Sequence, residues 1–355
     1  SSEMMQSLVD FADQSGGYGR WILANIETGI MQGDPTPTLI SNSYAFGATN
    51  FDLHKAYEYM KRGATVPFIR SQDQEIRPYL TEYMRDGHTF ASMMLEYTSS
   101  DFAIGQFALQ ALNNKEDASY FINRSQNWKN IYNPKIKWLN SRYPSGKWKD
   151  IEHDWREATH KNYFWMVPYN LKGLIDTLGG SKSAVKRLNT FFERLDASYD
   201  DDWFAAGNEP DFQAPWIYNW TDSPFKTSEV IHRVFNEMYT SEPTGLPGND
   251  DLGTMGAWYV FASVGIYPMI PGVAGFSVSL PQFEKVTVNL PKGILTINGG
   301  STENYYIKSL KINGKQYMST WVDWDLINNG GTIDFESSNT PNKSWGENTE
   351  PPSFN

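Results

Sequence analysis

At Tyr267 the spacing of apolar residues changes, and no other feature constrains the fold as strongly. Before it, Leu95, Phe102, Leu109 and Leu112 recur at helical spacing, so LEYTSSDFAIGQFALQAL (95–112) predicts an amphipathic helix. Val230, Ile231, Val234, Phe235 and Met238 do the same after Ser228. Helices are also expected over 51–62, 116–131, 170–178, 183–197 and 252–264, and the first residues read as a helix already under way. YPMIPGVAGF (267–276) has the Pro and Gly content of a linker or crossing. Period-two strands follow: Val286, Val288 and Leu290; Leu295 and Ile297; Ile307, then Leu310 and Ile312, with turn signals at Asn313-Gly314 and Asn329-Gly330-Gly331. The expected class is an α+β multidomain chain. Residues 1–267 would form part of an (α/α) toroid whose long loops gather at one end, and 268–355 an antiparallel β-sandwich with a polar tail after Trp345-Gly346.

A chain of 355 residues has room for about two domains. Its net charge of −11, without Lys/Arg clusters, argues against nucleic acid and anionic membrane surfaces as partners. No apolar run approaches the ~20 residues that cross a bilayer. The 13 Trp and 20 Tyr modestly favour a sugar site, where flat rings stack on pyranoses, although cores hold such rings too. The absence of Cys excludes disulfides and thiol chemistry. Three sequons, at Asn123, Asn219 and Asn342, hint weakly at secretion.

Three loops concentrate acids beside Gly, Pro or aromatic residues: EHDWREATHKNYFWMVPYN (152–170), AAGNEPDFQAPWIYNW (205–220) and LPGNDDLGTMGAWYVFASVG (246–265). Glycoside hydrolysis needs two carboxyl groups, one protonated for the leaving oxygen and one ionised to act on water or sugar. Glu157, near Trp155, Tyr163 and Trp165, suits the acid, since an apolar surround raises a carboxyl pKa. Asn208-Glu209 and Asn249-Asp250-Asp251 offer the oxygen donors a hard cation such as Ca²⁺ prefers, provided folding brings the two loops together. Asp250 and Asp251 could equally cap the following helix. With five His and no HExxH, phosphate loop or GxSxG elbow, other hydrolase classes are disfavoured.

Taken in order, these segments resemble the glycoside hydrolase family 92 α-mannosidases. Glu157 precedes Trp165-Met166-Val167-Pro168; Gly207-Asn208-Glu209-Pro210 follows; then Gly248-Asn249-Asp250-Asp251-Leu252-Gly253 runs into Met255-Gly256-Ala257-Trp258-Tyr259-Val260-Phe261. IETGIMQGD (26–34), FINRSQNWKNIYNP (121–134), SVGIYPMIPG and PNKSWG match as well. The resemblance implies a calcium-dependent, inverting exo-α-mannosidase acting on mannose-containing glycans, N-glycans among them. It makes Glu157 the general acid and Asp251 the general base, with Asp250 beside it. Asn208, Glu209 and Asp250 would lie at the calcium, and Trp165, Glu27 and Asp34 would contact substrate. Glu157-Ala158-Thr159 departs from the family's usual Glu-Gly-Asn, and Asn249 stands where some members have Asp. The match begins partway through the family's barrel, so an associated N-terminal portion, separate or cleaved, is expected, as is a secreted or extracytoplasmic location. Two other readings stand beside this one: a relative cleaving mannosyl phosphodiesters, and a non-catalytic carbohydrate-binding subunit.

Overall fold

The computed structural model describes residues 1–355, which form two compact units, Ser1–Tyr169 with Ile270–Val273 and Asn170–Met269 with Ala274–Asn355. The boundary expected at 267/268 therefore marks the change from helix to strand, while the compact units divide at Tyr169.

The first unit contains α1 (Ser2–Ser15), α2 (Pro35–Ala45), α3 (Leu53–Thr65), α4 (Leu80–Asp86), α5 (Ala91–Leu112), α6 (Lys115–Ser125) and a single turn, α7 (His160–Tyr163). Three small hairpins punctuate them: β1–β2 (Ile22–Leu23, Ile26–Glu27), β3–β4 (Arg70–Ser71, Gln74–Glu75) and β5–β6 (Tyr132–Asn133, Trp138–Leu139). Local chemistry sets the ends. The Asp52 side chain accepts from the Lys55 amide at the start of α3, and α1 stops at Gly16 in the left-handed region. Helix α5 corrects the expected amphipathic pattern. From Ala91 to Ala108 only Glu96 and Ser99 are even partly exposed, because α2, α3 and α6 pack around it. Gly105 allows the closest approach: a Cβ there would lie 2.8 Å from Ile122 and 3.1 Å from the Ala118 carbonyl of α6. Met5, Val9, Ile40, Met60, Phe107 and Phe121 fill the core among these helices.

The YPMIPGVAGF segment crosses back into this unit. The Gly272 amide donates to Asn42, and Gln110 Nε2 donates to the Gly272 carbonyl at 2.9 Å.

The second unit carries α8 (Leu171–Thr177), α9 (Ser181–Phe191), α10 (Phe225–Met238) and α11 (Thr254–Val264), then strands β7 (Ile266–Tyr267), β8 (Gly275–Val278), β9 (Lys285–Leu290), β10 (Gly293–Asn298), β11 (Tyr306–Ile312), β12 (Lys315–Tyr317), β13 (Trp321–Asp323) and β14 (Gly331–Ser338). They form a five-stranded sheet, β12-β11-β14-β10-β9, and a three-stranded one, β13-β8-β7. All pairings but one are antiparallel; β10 and β14 run parallel, from Leu295↔Gly331 to Asn298↔Asp334. The Asn313-Gly314 turn joins β11 to β12 with both residues at positive φ, 50° and 75°, as a type I′ hairpin requires. The three-residue step from Ile307 to Leu310 breaks strand periodicity, and a bulge between Ile307 and Ser309 absorbs the extra residue so that both face the core.

Most Trp residues belong to the scaffold. Seven of the 13 are buried, and Trp216 stacks on Tyr267 at 4.1 Å and meets Trp258 edge-on. Aromatic content alone therefore says little about sugar binding. Asn219 is buried as well, its amide donating to Ser277 and Val278 and accepting from Thr227, which closes that sequon to modification in the folded chain. The polar tail packs back: the Pro352 carbonyl accepts from Trp220 Nε1 at 3.2 Å, and Ser353 Oγ accepts from the Lys172 amide at 3.0 Å.

Candidate active site

In the first unit, the loop bearing Glu157 is anchored on both sides of that residue. Upstream, Asp154 has φ 72°; its carbonyl accepts from the Ser92 amide and hydroxyl at 3.1 and 2.9 Å, and its carboxylate accepts from Lys149 Nζ at 2.6 Å. Trp155 donates from Nε1 to the Ile151 carbonyl and packs on Tyr163 at 5.7 Å. Downstream, Thr159 caps α7 in a capping box with Asn162. The departure at 158–159 thus has a structural reason in Thr159. Glu157 itself has φ 51°, a left-handed conformation uncommon for a residue with a side chain, and it is exposed. The aromatic surround expected from Trp155, Tyr163 and Trp165 does not close over its carboxyl. Trp165 is fully buried, edge-on to Phe164 at 5.0 Å.

The three residues expected to contact substrate are buried within this unit. Trp165 is a core ring. The Glu27 carboxylate is buried and accepts from the amides of Arg20, Trp21 and Gly29 at 2.6, 3.2 and 2.8 Å, holding the β1–β2 hairpin. Asp34 is buried against Arg77, whose Nε lies 2.8 Å from Oδ2. Arg77 also meets Asp101 at 2.7 Å, and Arg124 meets Asp101 at 2.6 Å, so two acids and two arginines form one buried chain. Burial pushes Asp101 up, but Arg124 and Arg77 outweigh it and hold the carboxyl low; at Asp34 burial wins and the pKa is raised.

Sequence reading passed over Glu96 altogether. Gln32 Nε2 lies 3.5 Å from its Oε1, and burial, with Asp34 adding to it, pushes the carboxyl up to about 8. The available signal was an acid between Leu95 and Tyr97 in an otherwise apolar helix.

In the second unit, folding does bring the two Gly-Asn loops together. A Cβ on Gly207 would lie 2.7 Å from the Pro247 carbonyl oxygen, and one on Gly248 2.8 Å from that of Gly207. Asp211, fully buried, braces the first loop by accepting from the Ala205 amide at 2.8 Å. Asn208 is buried beside it and Glu209 is exposed. Asn208, Gly207 and Gly248 line a cavity of about 330 Å³ with Tyr199, Leu195 and Met238, at the small end of the ~300–1,000 Å³ typical of ligand pockets.

Asp250 and Asp251 divide their work. Asp250 Oδ1 accepts from the Gly256 amide at 3.0 Å and its carbonyl from the Thr254 amide at 2.8 Å, so Asp250 caps α11. Asp251, Leu252 and Gly253 are successively left-handed, with φ 46°, 60° and 99°. The Asp251 carboxylate is exposed and makes no hydrogen bond within the chain. Asn208, Glu209 and Asp250 offer oxygen donors of the kind a hard cation takes. No three His, Cys, Asp or Glu side chains cluster as a cage, so amide and carbonyl oxygens and water would complete the coordination.

A model of the glycosyl hydrolase family 92 catalytic domain matches residues 1–339. An uncharacterized secreted glycosidase of Arthroderma benhamiae is 28% identical over 330 residues, covering 82% of this chain and 40% of that protein. The structure of a family GH92 α-mannosidase from Bacteroides thetaiotaomicron in complex with mannoimidazole matches with a TM-score of 0.89 at 26% identity, covering 99% of this chain and 50% of that one. A GH92 inverting mannosidase from the same bacterium shares the fold, with a TM-score of 0.90 at 23% identity over 99% of this chain and 52% of that one. The chain thus spans about half the length of these relatives. Because both the fold and the order of the acid loops agree with a family match that runs nearly from end to end, the chain belongs to glycosyl hydrolase family 92.

Proposed function

We propose that this chain carries the catalytic carboxyl groups of an inverting, calcium-assisted exo-α-mannosidase that removes terminal mannose from glycans, N-glycans included. Glu157 protonates the departing oxygen and Asp251 takes a proton from the attacking water. One observation carries the reading. In each acid loop one carboxylate is tied into the scaffold, Asp154 to Lys149 and Asp250 to the start of α11, while the motif acid, three residues on at Glu157 and the very next residue at Asp251, is presented exposed from left-handed backbone. Strained, exposed side chains held by a fixed frame mark functional positions.

Asn208, Glu209 and the second oxygen of Asp250 would hold a calcium ion, which when bound polarises and orients sugar hydroxyls. The mannosidase descriptions of the Bacteroides structures support the substrate class, and the description of the fungal relative supports an extracytoplasmic location. No helix is long and apolar enough to cross a membrane. Activity is assigned to the chain acting with the half of the family's length that it does not span.

The test is turnover of an α-mannoside by the native protein, with and without a chelator. Activity lost on chelation and restored by Ca²⁺ upholds the reading. Sugar binding without turnover, with the rest of the family's length present, overturns it in favour of a non-catalytic subunit.

A further inference from the structure

Helix α5 touches the loop of the proposed acid directly through Ser92 and, by way of Gln32 and Tyr163, is linked to it through Glu96. Ser92, in its first turn, binds the Asp154 carbonyl, and Glu96 follows one turn later, placed by i,i+4 spacing on the same face. Glu96 reaches into a gap that only glycine leaves open: a Cβ on Gly33, which has φ 93°, would fall 1.7 Å from Glu96 Oε2. The adjacent residue, Gln32, donates toward both Glu96 Oε1 at 3.5 Å and the Tyr163 hydroxyl at 3.4 Å. Having accepted from Gln32, that hydroxyl donates to the Arg156 carbonyl at 3.2 Å, in the peptide unit that leads into Glu157.

We propose that Glu96 is a positioning residue for Glu157: it orients Gln32, Gln32 fixes the Tyr163 hydroxyl, and Tyr163 pins the left-handed turn on which Glu157 stands. The inference rests on the reading of Glu157 as general acid. Tyr163 lies within the field of both carboxyls; burial first, then Glu96 and Glu157, hold its phenol far above the ordinary range. The Tyr163 hydroxyl therefore stays protonated, as its donation to Arg156 requires. A left-handed residue with a side chain is strained and persists only where its surroundings over-determine it. The three-residue relay supplies that restraint from helix α5.

The experiment compares Glu96→Ala, Glu96→Gln and Tyr163→Phe in the native protein, using an α-mannoside with an unactivated leaving group and one whose leaving group needs no proton. Misplacement of the acid lowers kcat on the unactivated substrate by up to about 10²-fold in Glu96→Ala and Tyr163→Phe, with KM little changed, and spares the activated substrate. Glu96→Gln, which still accepts from Gln32, recovers most of the loss. Equal losses on both substrates, or none, overturn the proposal. Hydrogen exchange at the amides of residues 154–159 decides it independently of activity. Faster exchange in Glu96→Ala but not in Glu96→Gln supports the relay even if the wild-type protein turns over no mannoside, an outcome that would sink the functional reading alone. Unchanged exchange in Glu96→Ala overturns the relay.

Discussion

Gly207 and Gly248 meet backbone to backbone, 41 positions apart in sequence, so closely that neither tolerates a Cβ. This contact joins the loop of Asn208 and Glu209 to that of Asp250 and Asp251. Gly207→Ala forces its methyl group against the Pro247 carbonyl, which cannot rotate away as a side chain could. The expected result is a destabilisation of about 1–3 kcal/mol, the usual range for overpacking, and, on the proposed calcium reading, weaker calcium binding. Thermal unfolding with and without Ca²⁺ checks both: the stabilisation by Ca²⁺ should shrink in the variant.

Glu157 and Asp251 should separate by leaving-group dependence. On the proposed assignment Glu157→Gln removes the proton donor, so hydrolysis of an unactivated α-mannoside should fall by roughly 10²–10⁴-fold while an activated mannoside is largely spared. Asp251→Asn removes the acceptor of the water's proton, a step both substrates share, and should slow both. Steady-state rates on the two substrates decide the matter, and equal sensitivity of the two substrates to Glu157→Gln would reject the acid assignment.

Arg77 is the centre of the buried ionic chain. Its removal strands Asp34 and Asp101 in an interior with only Arg124 remaining. Breaking such a network costs about 3–5 kcal/mol because an uncompensated charge stays buried. Arg77→Met should therefore lower the urea midpoint sharply. Arg85→Met, which breaks an exposed pair with Asp86, should leave it nearly unchanged.

Legibility in the sequence followed the range of the interactions. Helix α10 and strands β9–β11 were readable because an apolar period is local. The all-round burial of α5 was not, since it depends on α2, α3 and α6 closing over faces that look permissive in sequence. The Glu157 and Asp251 loops could be located from acids among Gly, Pro and aromatic residues. Which acid is tied down could not, because it depends on folded partners: the Asp154 carboxylate meets Lys149 and Ser141, and its carbonyl meets Ser92, 62 residues away. Nor could the partners of Glu27 and Asp34, three backbone amides and Arg77, be read from the sequence.

Glu96 gives stability a pH dependence opposite to that of an ordinary salt-bridged acid. Its carboxyl is pushed from 4.5 up to about 8 by burial, with Gln32 opposing and Asp34 adding to the shift; Tyr97 and Tyr163, the other titratable groups beside it, stay neutral across this range. The folded chain keeps the proton where the unfolded chain has released it, so unfolding between these pH values releases a proton. The contribution is thus fully present below about pH 4.5 and is lost as pH rises toward 8, by up to about 1.4 kcal/mol per unit. Glu96→Gln, neutral throughout, should flatten the fall in urea-unfolding stability between pH 5 and 8 that Glu96 causes. Parallel curves for the two proteins would mean that Glu96 ionises at its ordinary pKa in the folded chain, with water reaching the carboxyl beside Gly33.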